Sequence, residues 1–527
     1  MCKRLILYFD TIKYLKVTQI YYQILHRIKT LYSVDNLSFS KFEQVKINYL
    51  THNFNDYFSD SKLGDDGTFT ILNKSKQFSA KVDWNYMGLG KLWNFKLQYL
   101  DYLWNNAVSD EQRTFILNDI SNEIKSNKLK LEAFPVSQRI IQYAFLLHYV
   151  KLDRELERVF KCQLGYLDHN CEYHLQANHL LENYIALYLG SLYLDENTFH
   201  KKYFYRLSKE LNIQIALDGA HYEGSIMYHS QILYKLLLLI NILRTNQLYP
   251  EEMEAISTFV SKMFAWYQHI TKNGLLNPIL GDTAKSGSIP FEIIQAEWKK
   301  FDFPDQACHD GKGNYFLMEQ NDMSIIFNIG DVYPAHQPGH QHADLLHFVF
   351  YKNGNCIFAD TGISTYENTE RRRYERSTAA HNTVCINGKN QSEVWAAFRM
   401  GKRAKIVKIE FGENEMKAEI QFGTNQHHIH KRRCYISEGL LEIQDEVIGT
   451  NNNEINFAYF HLDYSVDVEK IINDLEYRLQ ADTRIVFDSG QVEIEAYQQA
   501  IDFNQLQNAQ RFKVSFKSIL KTKIYWS

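Results

Sequence analysis

The chain has 527 residues, 62.2 kDa, 45% hydrophobic residues and a formal net charge of -4. That length exceeds one ordinary core, so two domains are expected, and the near-neutral balance excludes a general electrostatic pull toward nucleic acid. Seven cysteines, odd in number and without CxxC spacing, exclude a full disulfide framework and fit a reducing compartment.

The N-terminus reads MCKRLILYFDTIKYLKV. Its apolar stretch, residues 5–9, ends at Asp10 and is shorter than a signal-peptide core of roughly 7 to 15 residues. No export signal is expected, which places the chain in the cytoplasm or peripherally on the inner membrane, with the periplasm as the alternative. Residues 12–32 carry Lys13, Lys16, Arg27 and Lys29 among Ile, Tyr and Leu, and leave two outcomes open: a helix docked on the domain, the commoner case, or one lying on a membrane surface.

Between about residues 90 and 300, apolar residues recur at three- and four-residue spacing, as in 92–104, 137–150 and 179–194, which predicts a series of helices. The most apolar run, 226–243, is interrupted by His229, Ser230, Gln231, Lys235 and Asn241, so it reads as a buried helix, and no transmembrane helix is expected. After about residue 310 the period changes to two, as in 315–318, 323–329, 404–411 and 416–422, with Lys417, Glu419 and Gln421 on alternate positions. This predicts antiparallel sheet with one wet face. No low-complexity linker separates the halves, so a cleft at their junction is a reasonable ligand site.

Residues 336–388 concentrate the chemistry. In His340-Gln341-His342-Ala343-Asp344 an extended backbone would send His340, His342 and Asp344 to one face, and a core strand rarely buries three such groups unpaired. Asp360 follows the apolar run 356–359 and His381 opens another β-like run, so a strand meander would bring both beside His342; His, Asp and His suit zinc. The competing reading is surface or satisfied core histidines.

The order HxHAD, then a strand ending ADTG, then RxYxRSTAAHNTV resembles the heparinase II/III family. That resemblance implies an incomplete α/α toroid (residues 81–308) after an N-terminal helical or irregular extension (1–80), followed by an antiparallel β-sandwich (309–527): an α+β multidomain chain. It implies His340 as catalytic and His342, Asp360 and His381 as ligands of a structural zinc ion. Asn178-His179-Leu180-Leu181-Glu182 resembles the family's NHxxE segment, and the run 218–229 its DGxxxEGSxxYH segment. By that comparison Asn178 and His179 hold the acidic group of a uronic acid, Tyr228 exchanges protons, and Glu182 orients His179 or contacts substrate, while Tyr222, Glu223 and His229 support the cleft. Weaker similarity covers 83–85, 92–93 and 134–139; Gln142-Tyr143 departs from an expected Asn-Trp.

Asp282, in Gly281-Asp282-Thr283, matches another acidic position whose role stays open; capping a turn is the plain alternative. Arg371, Arg372, Arg373 and Arg376 form a basic run whose default is a solvated face. If Arg372 and Arg376 enter the cleft, bidentate contacts would select carboxylate or sulfate. The resemblance thus implies a polysaccharide lyase acting by β-elimination on an acidic glycan, linked to bacterial surface-polysaccharide production. A uronyl C5-epimerase using the same residues, and a non-catalytic glycan-binding protein, are the alternatives.

Overall fold

The computed structural model describes residues 2–31, 42–53, 58–79, 81–105, 107–146, 154–303, 314–451, 453–480 and 482–526. Two N-terminal helices, α1 (Cys2–Ile12) and α2 (Val17–Leu31), precede a small antiparallel sheet of Lys62–Leu63, Thr68–Ile71 and Lys74–Gln77. The helical region then runs from Lys91–Tyr99 to Phe291–Trp298. The periodic run 92–104 is broken in practice, because Leu100 adopts φ 70° and turns the chain into the 3-10 turn Asp101–Trp104. The run 137–150 belongs to the helix Ala133–Leu146, its last four residues lying outside the described set, and 179–194 to the helix Ala177–Leu192.

Ile226–Thr245 is, among the described residues, the one helix long and apolar enough to cross a membrane, and 89% of its apolar window is buried. Lys235 explains how a lysine survives there: its ammonium meets the buried Glu182 carboxylate at 2.5 Å. The helical region packs around one apolar core, which also takes in Leu317, Ile326 and Val349 of the β region. The two halves therefore share a packed boundary, as the missing linker implied.

The β region contains a four-stranded sheet of Tyr315–Gln320, Met323–Asn328, Phe348–Lys352 and Asn355–Phe358, an eight-stranded sheet, and a second four-stranded sheet that carries Val384–Ile386 at its edge. Every named strand pair is antiparallel. In Glu415–Gln421 the alternation works as expected: Met416, Ala418 and Ile420 are buried, and Lys417 is exposed. A second core of Met323, Phe348, Phe358, Phe460 and their neighbours lies between these sheets.

One expectation is corrected. Residues 340–344 are not a strand but part of the loop between Met323–Asn328 and Phe348–Lys352. The alternation of polar groups came from a loop wrapped around a buried carboxylate, where hydrogen bonds rather than a pleat set side-chain direction.

Candidate active site

The helical and β halves enclose a cleft of about 1150 Å³, lined among others by Asn178, His179, Tyr228, His340 and Tyr366. Tyr228 sits in the first turn of Ile226–Thr245, whose start is fixed by Ser225. The Ser225 hydroxyl accepts the Tyr228 N–H at 3.3 Å and donates to the Asp282 carbonyl at 2.8 Å, and Thr283 Oγ1 accepts the Ile226 N–H at 3.1 Å. The Asp282 N–H in turn donates to the His340 carbonyl at 3.1 Å. Gly281 makes this approach possible: it takes φ 54°, and a Cβ there would lie 3.2 Å from that same carbonyl. Three segments distant in sequence are thus stitched backbone to side chain.

Asp282 is the hub. It is fully buried, paired by both oxygens with Arg372 at 2.6 Å each, and accepts from His340 Nδ1 at 2.8 Å and His342 Nε2 at 2.9 Å. Burial disfavours its charge, but Arg372 and the two imidazoles outweigh burial and hold the carboxyl well below its ordinary range. Since Asp282 is ionised, it accepts only, so His340 carries its proton on Nδ1 and in its neutral form presents a lone pair at Nε2. The His340 and Tyr228 rings are 4.2 Å apart, and the Tyr228 and Tyr366 hydroxyls 3.1 Å. Burial is the largest influence on Tyr228 and pushes the phenol well above its ordinary value; the Tyr366 hydrogen bond opposes it only in part. Tyr228 is therefore a neutral proton donor in the cleft.

At the start of Ala177–Leu192, Asn178 lies in the cleft wall with Oδ1 buried and, among the described residues, without a hydrogen-bond partner. Gln176 and Ala177 both hold positive φ, 61° and 51°, uncommon for non-glycine residues, and the Asn178 N–H that follows is taken by Glu223 Oε2 at 3.2 Å. His179 bonds Glu172 at 3.1 Å and packs on Phe134 with ring centroids 4.5 Å apart. Burial would lower its pKa, but the charge and hydrogen bond of Glu172 prevail and raise it, which favours the imidazolium. Glu223, buried, keeps Oε1 at 3.9 Å from His340 Nε2, and burial pushes its carboxyl up. His229 accepts the His221 N–H and donates to the Met263 carbonyl, a structural role.

Three expected substrate contacts are corrected. Glu182 does not orient His179 and is absent from the cleft wall; it accepts from Lys235 and Gln138, and Glu172 takes the orienting place. Arg372 and Arg376 are fully buried rather than on a solvated face or in the cleft. Arg372 is spent on Asp282, and Arg376 donates to the carbonyls of Pro338, Gln341, Ala397 and Arg399. Both brace the loop that carries His340. The contribution of Tyr366 had no signal in the sequence, and Asp282 had only its match to an acidic position.

Near this loop, among the described residues, His347, Asp360 and His381 form a group of potential metal ligands, all buried, with ligand atoms within 4.8 Å of one another. It shares Asp360 and His381 with the expected set but has His347 in place of His342. The protonation pattern separates the two. His347 Nδ1 accepts the Asn382 N–H at 2.8 Å, which puts its proton on Nε2; that nitrogen lies 3.0 Å from Asp360 Oδ2 but has no hydrogen-bond partner among the described residues, so it is an orphaned donor rather than an orphaned lone pair. His342 spends Nε2 on Asp282, leaving a buried Nδ1 unpartnered among the described residues; His381 gives Nδ1 to Asp360 at 2.8 Å and leaves Nε2 in the same condition. The rings of His342 and His381 are 5.2 Å apart. Two buried lone pairs without a partner among the described residues, on rings this close, fit a cation better than an apolar void.

Residues 76–310 match the family described as heparinase II/III N-terminus, and residues 309–527 the heparinase II/III-like C-terminal family. The chain belongs to the heparinase II/III family. Its sequence is also 23% identical over 322 residues to a heparin-sulfate lyase of Bacteroides stercoris; the match takes in 54% of this chain and 46% of that protein, about half its length. Among solved structures, heparinase III superposes with a TM-score of 0.62 at 17% identity, over 85% of this chain and 80% of that one. A heparan sulfate lyase from Pedobacter heparinus superposes at 0.54 and 15% identity, covering 86% and 79%. As in these folds, a helical toroid is followed here by a β-sandwich.

Proposed function

We propose that this heparinase II/III protein is a polysaccharide lyase that cleaves a uronic-acid-containing acidic glycan by β-elimination. The observation that carries this reading is the pairing, inside one cleft, of a neutral phenol on Tyr228 with a His340 imidazole whose Nδ1–H is committed to Asp282. The Asn178 amide and the His179 imidazolium engage the uronate carboxylate, whose negative charge grows as the C5 proton leaves. His340 Nε2 takes that proton, the C5–H electrons form the C4=C5 double bond, the C4–O4 bond breaks, and Tyr228 gives its proton to the departing oxygen. The Tyr366 hydroxyl holds the phenol in place. Phe95, Tyr99, Phe134 and Phe398 line the cleft as stacking surfaces for sugar rings, and Lys128, Lys130 and Arg399 supply positive charge. The names borne by the relatives support the same class of reaction.

A zinc ion would be held by His342, Asp360 and His381, where it would supply a structural cross-link between the His340 loop and the sandwich. Proton transfer remains with Tyr228 and His340.

The test is ultraviolet absorbance of newly formed 4,5-unsaturated uronate when purified protein meets a panel of acidic polysaccharides, the host's own surface glycan included. Absorbance that Tyr228→Phe and His340→Ala both abolish is the expected result. Solvent deuterium entering the uronate without chain cleavage would instead make the protein an epimerase.

A further inference from the structure

Helices α1 and α2 are amphipathic the wrong way round for a docked pair. A helix resting on its own domain normally turns its apolar stripe inward. Here the fully buried positions are polar, while Tyr8 and Tyr22 pack from the flanks on Trp395 and Tyr173. Asp10, Thr11 and Gln19 are the buried residues; Thr11 Oγ1 accepts from Trp395 Nε1 at 3.1 Å, and Gln19 Nε2 donates to the carbonyls of Leu175 and His336, one in each half of the molecule. Thr18 Oγ1 accepts from Gln176 Nε2 at 3.2 Å, and His26 stacks on His174 at 4.5 Å.

The outward side is apolar. On α2, Val17, Ile20, Tyr21, Ile24 and Ile28 follow the i, i+3, i+4, i+7, i+11 pattern of one stripe, and all are exposed, Val17 to 82%. On α1, Leu5, Phe9 and Ile12 continue it, with Phe9 69% exposed. Ten of the 29 exposed large apolar side chains among the described residues fall on these two helices, which comprise 26 residues, whereas the rest are scattered over the fold. A concentration of this kind marks an interaction face.

Charge selects the occupant. Residues 2–31 contain six basic residues and one acid, Asp10, in a chain of net charge -4. That acid is buried on the inward side and paired with Lys13 at 2.7 Å. The outward face and its edges thus bear no carboxylate.

We propose that α1 and α2 seat the protein on an anionic lipid surface, with the apolar stripe in the headgroup boundary and the basic residues at its edges. Tyr22, Leu25 and His26 of α2 also form part of the cleft wall, so seating holds the cleft mouth at the lipid surface, where a membrane-attached acidic glycan is presented. The lipid seat is independent of the chemistry in the cleft, whereas the placement of the glycan rests on the lyase reading.

The test is co-flotation of the full chain with vesicles. Vesicles of phosphatidylcholine with about one-third phosphatidylglycerol are expected to carry the protein, pure phosphatidylcholine vesicles roughly tenfold less, and ~1 M salt is expected to weaken the anionic preference. The double variant Phe9→Asp, Ile24→Asp is expected to stay in the aqueous fraction at an unchanged melting temperature; if it melts lower, Val17→Asp, at the most exposed position, replaces it. Protein that ignores anionic vesicles, or variants that float as well as the parent, overturn the proposal. So does a dimer, seen by light scattering, that these substitutions split while vesicles bind nothing, since the face then belongs to a second copy.

Discussion

Asp282 Oδ2 lies 2.8 Å from His340 Nδ1, and this contact decides which imidazole nitrogen faces the cleft. In Asp282→Asn the carboxylate that fixes the tautomer is replaced by an amide able to donate, and Arg372 loses its buried counter-charge. The expected outcome is a fall in kcat of roughly 10²- to 10⁴-fold, together with a loss of about 3–5 kcal/mol of stability. Unsaturated-uronate absorbance and urea unfolding measure the two effects separately, and an unchanged kcat in folded variant would remove Asp282 from the mechanism.

Tyr228→Phe removes one hydroxyl whose hydrogen bond, among the described residues, is to Tyr366 Oη, so stability is expected to change by less than about 1 kcal/mol while turnover falls at least ~10²-fold. Tyr366→Phe keeps the proton donor and loses only its positioning bond. A fall of about tenfold is expected for it, and equal damage from both would shift the donor role toward the pair.

Arg376→Ala is expected to act on folding. Four carbonyls lose their donor in a buried region, which costs on the order of 3 kcal/mol or more, with no selective rise in KM. A well-folded variant with raised KM for sulfated substrate would return Arg376 to the binding site.

The metal assignment separates two histidines that lie side by side. Elemental analysis is expected to find the metal depleted in His342→Ala and His381→Ala and retained in His347→Gln, and a chelator is expected to lower the melting temperature of the parent protein. Retention in His342→Ala with depletion in His347→Gln would reverse the ligand set.

Acid stability should report on Asp445. Its carboxyl is buried between Arg432 and His430, and although burial works against the charge, the Arg432 guanidinium holds its pKa at about 2. A carboxyl depressed in the folded state stabilises fully above its unfolded value of about 3.9, and that contribution is lost as pH falls toward 2. Asp445→Asn is expected to be less stable at neutral pH by about 3 kcal/mol and to lose less between about pH 5 and 2; a parallel pH profile would contradict this.

Legibility followed the range of the interaction. Helix and strand periodicity survives in single segments because each element buries one face, so the change from helical to sheet pattern near residue 310 could be read directly. His340 and Tyr228 stood out because the motif around each is contiguous. The groups that serve them did not. Asp282 and Tyr366 lie in loops and Arg372 in the short helix Glu370–Glu375, where no period marks burial, and nothing in the run 371–376 marks Arg372 as buried and its neighbour Arg373 as exposed.

By itself, then, the sequence determined the family and the helical-then-β order, and it singled out Asn178, His179, Tyr228 and His340, which the fold brings to one cleft, since these depend on local pattern and contiguous motif. Only the tertiary structure decided that Asp282 is the hub, that Arg372 and Arg376 are internal braces, that Glu172 rather than Glu182 orients His179, and that α1 and α2 turn their apolar stripe outward. The reason is physical: whether a charge is solvated or buried, and which partner satisfies it, depends on segments hundreds of residues apart that meet only when the two halves close around the cleft.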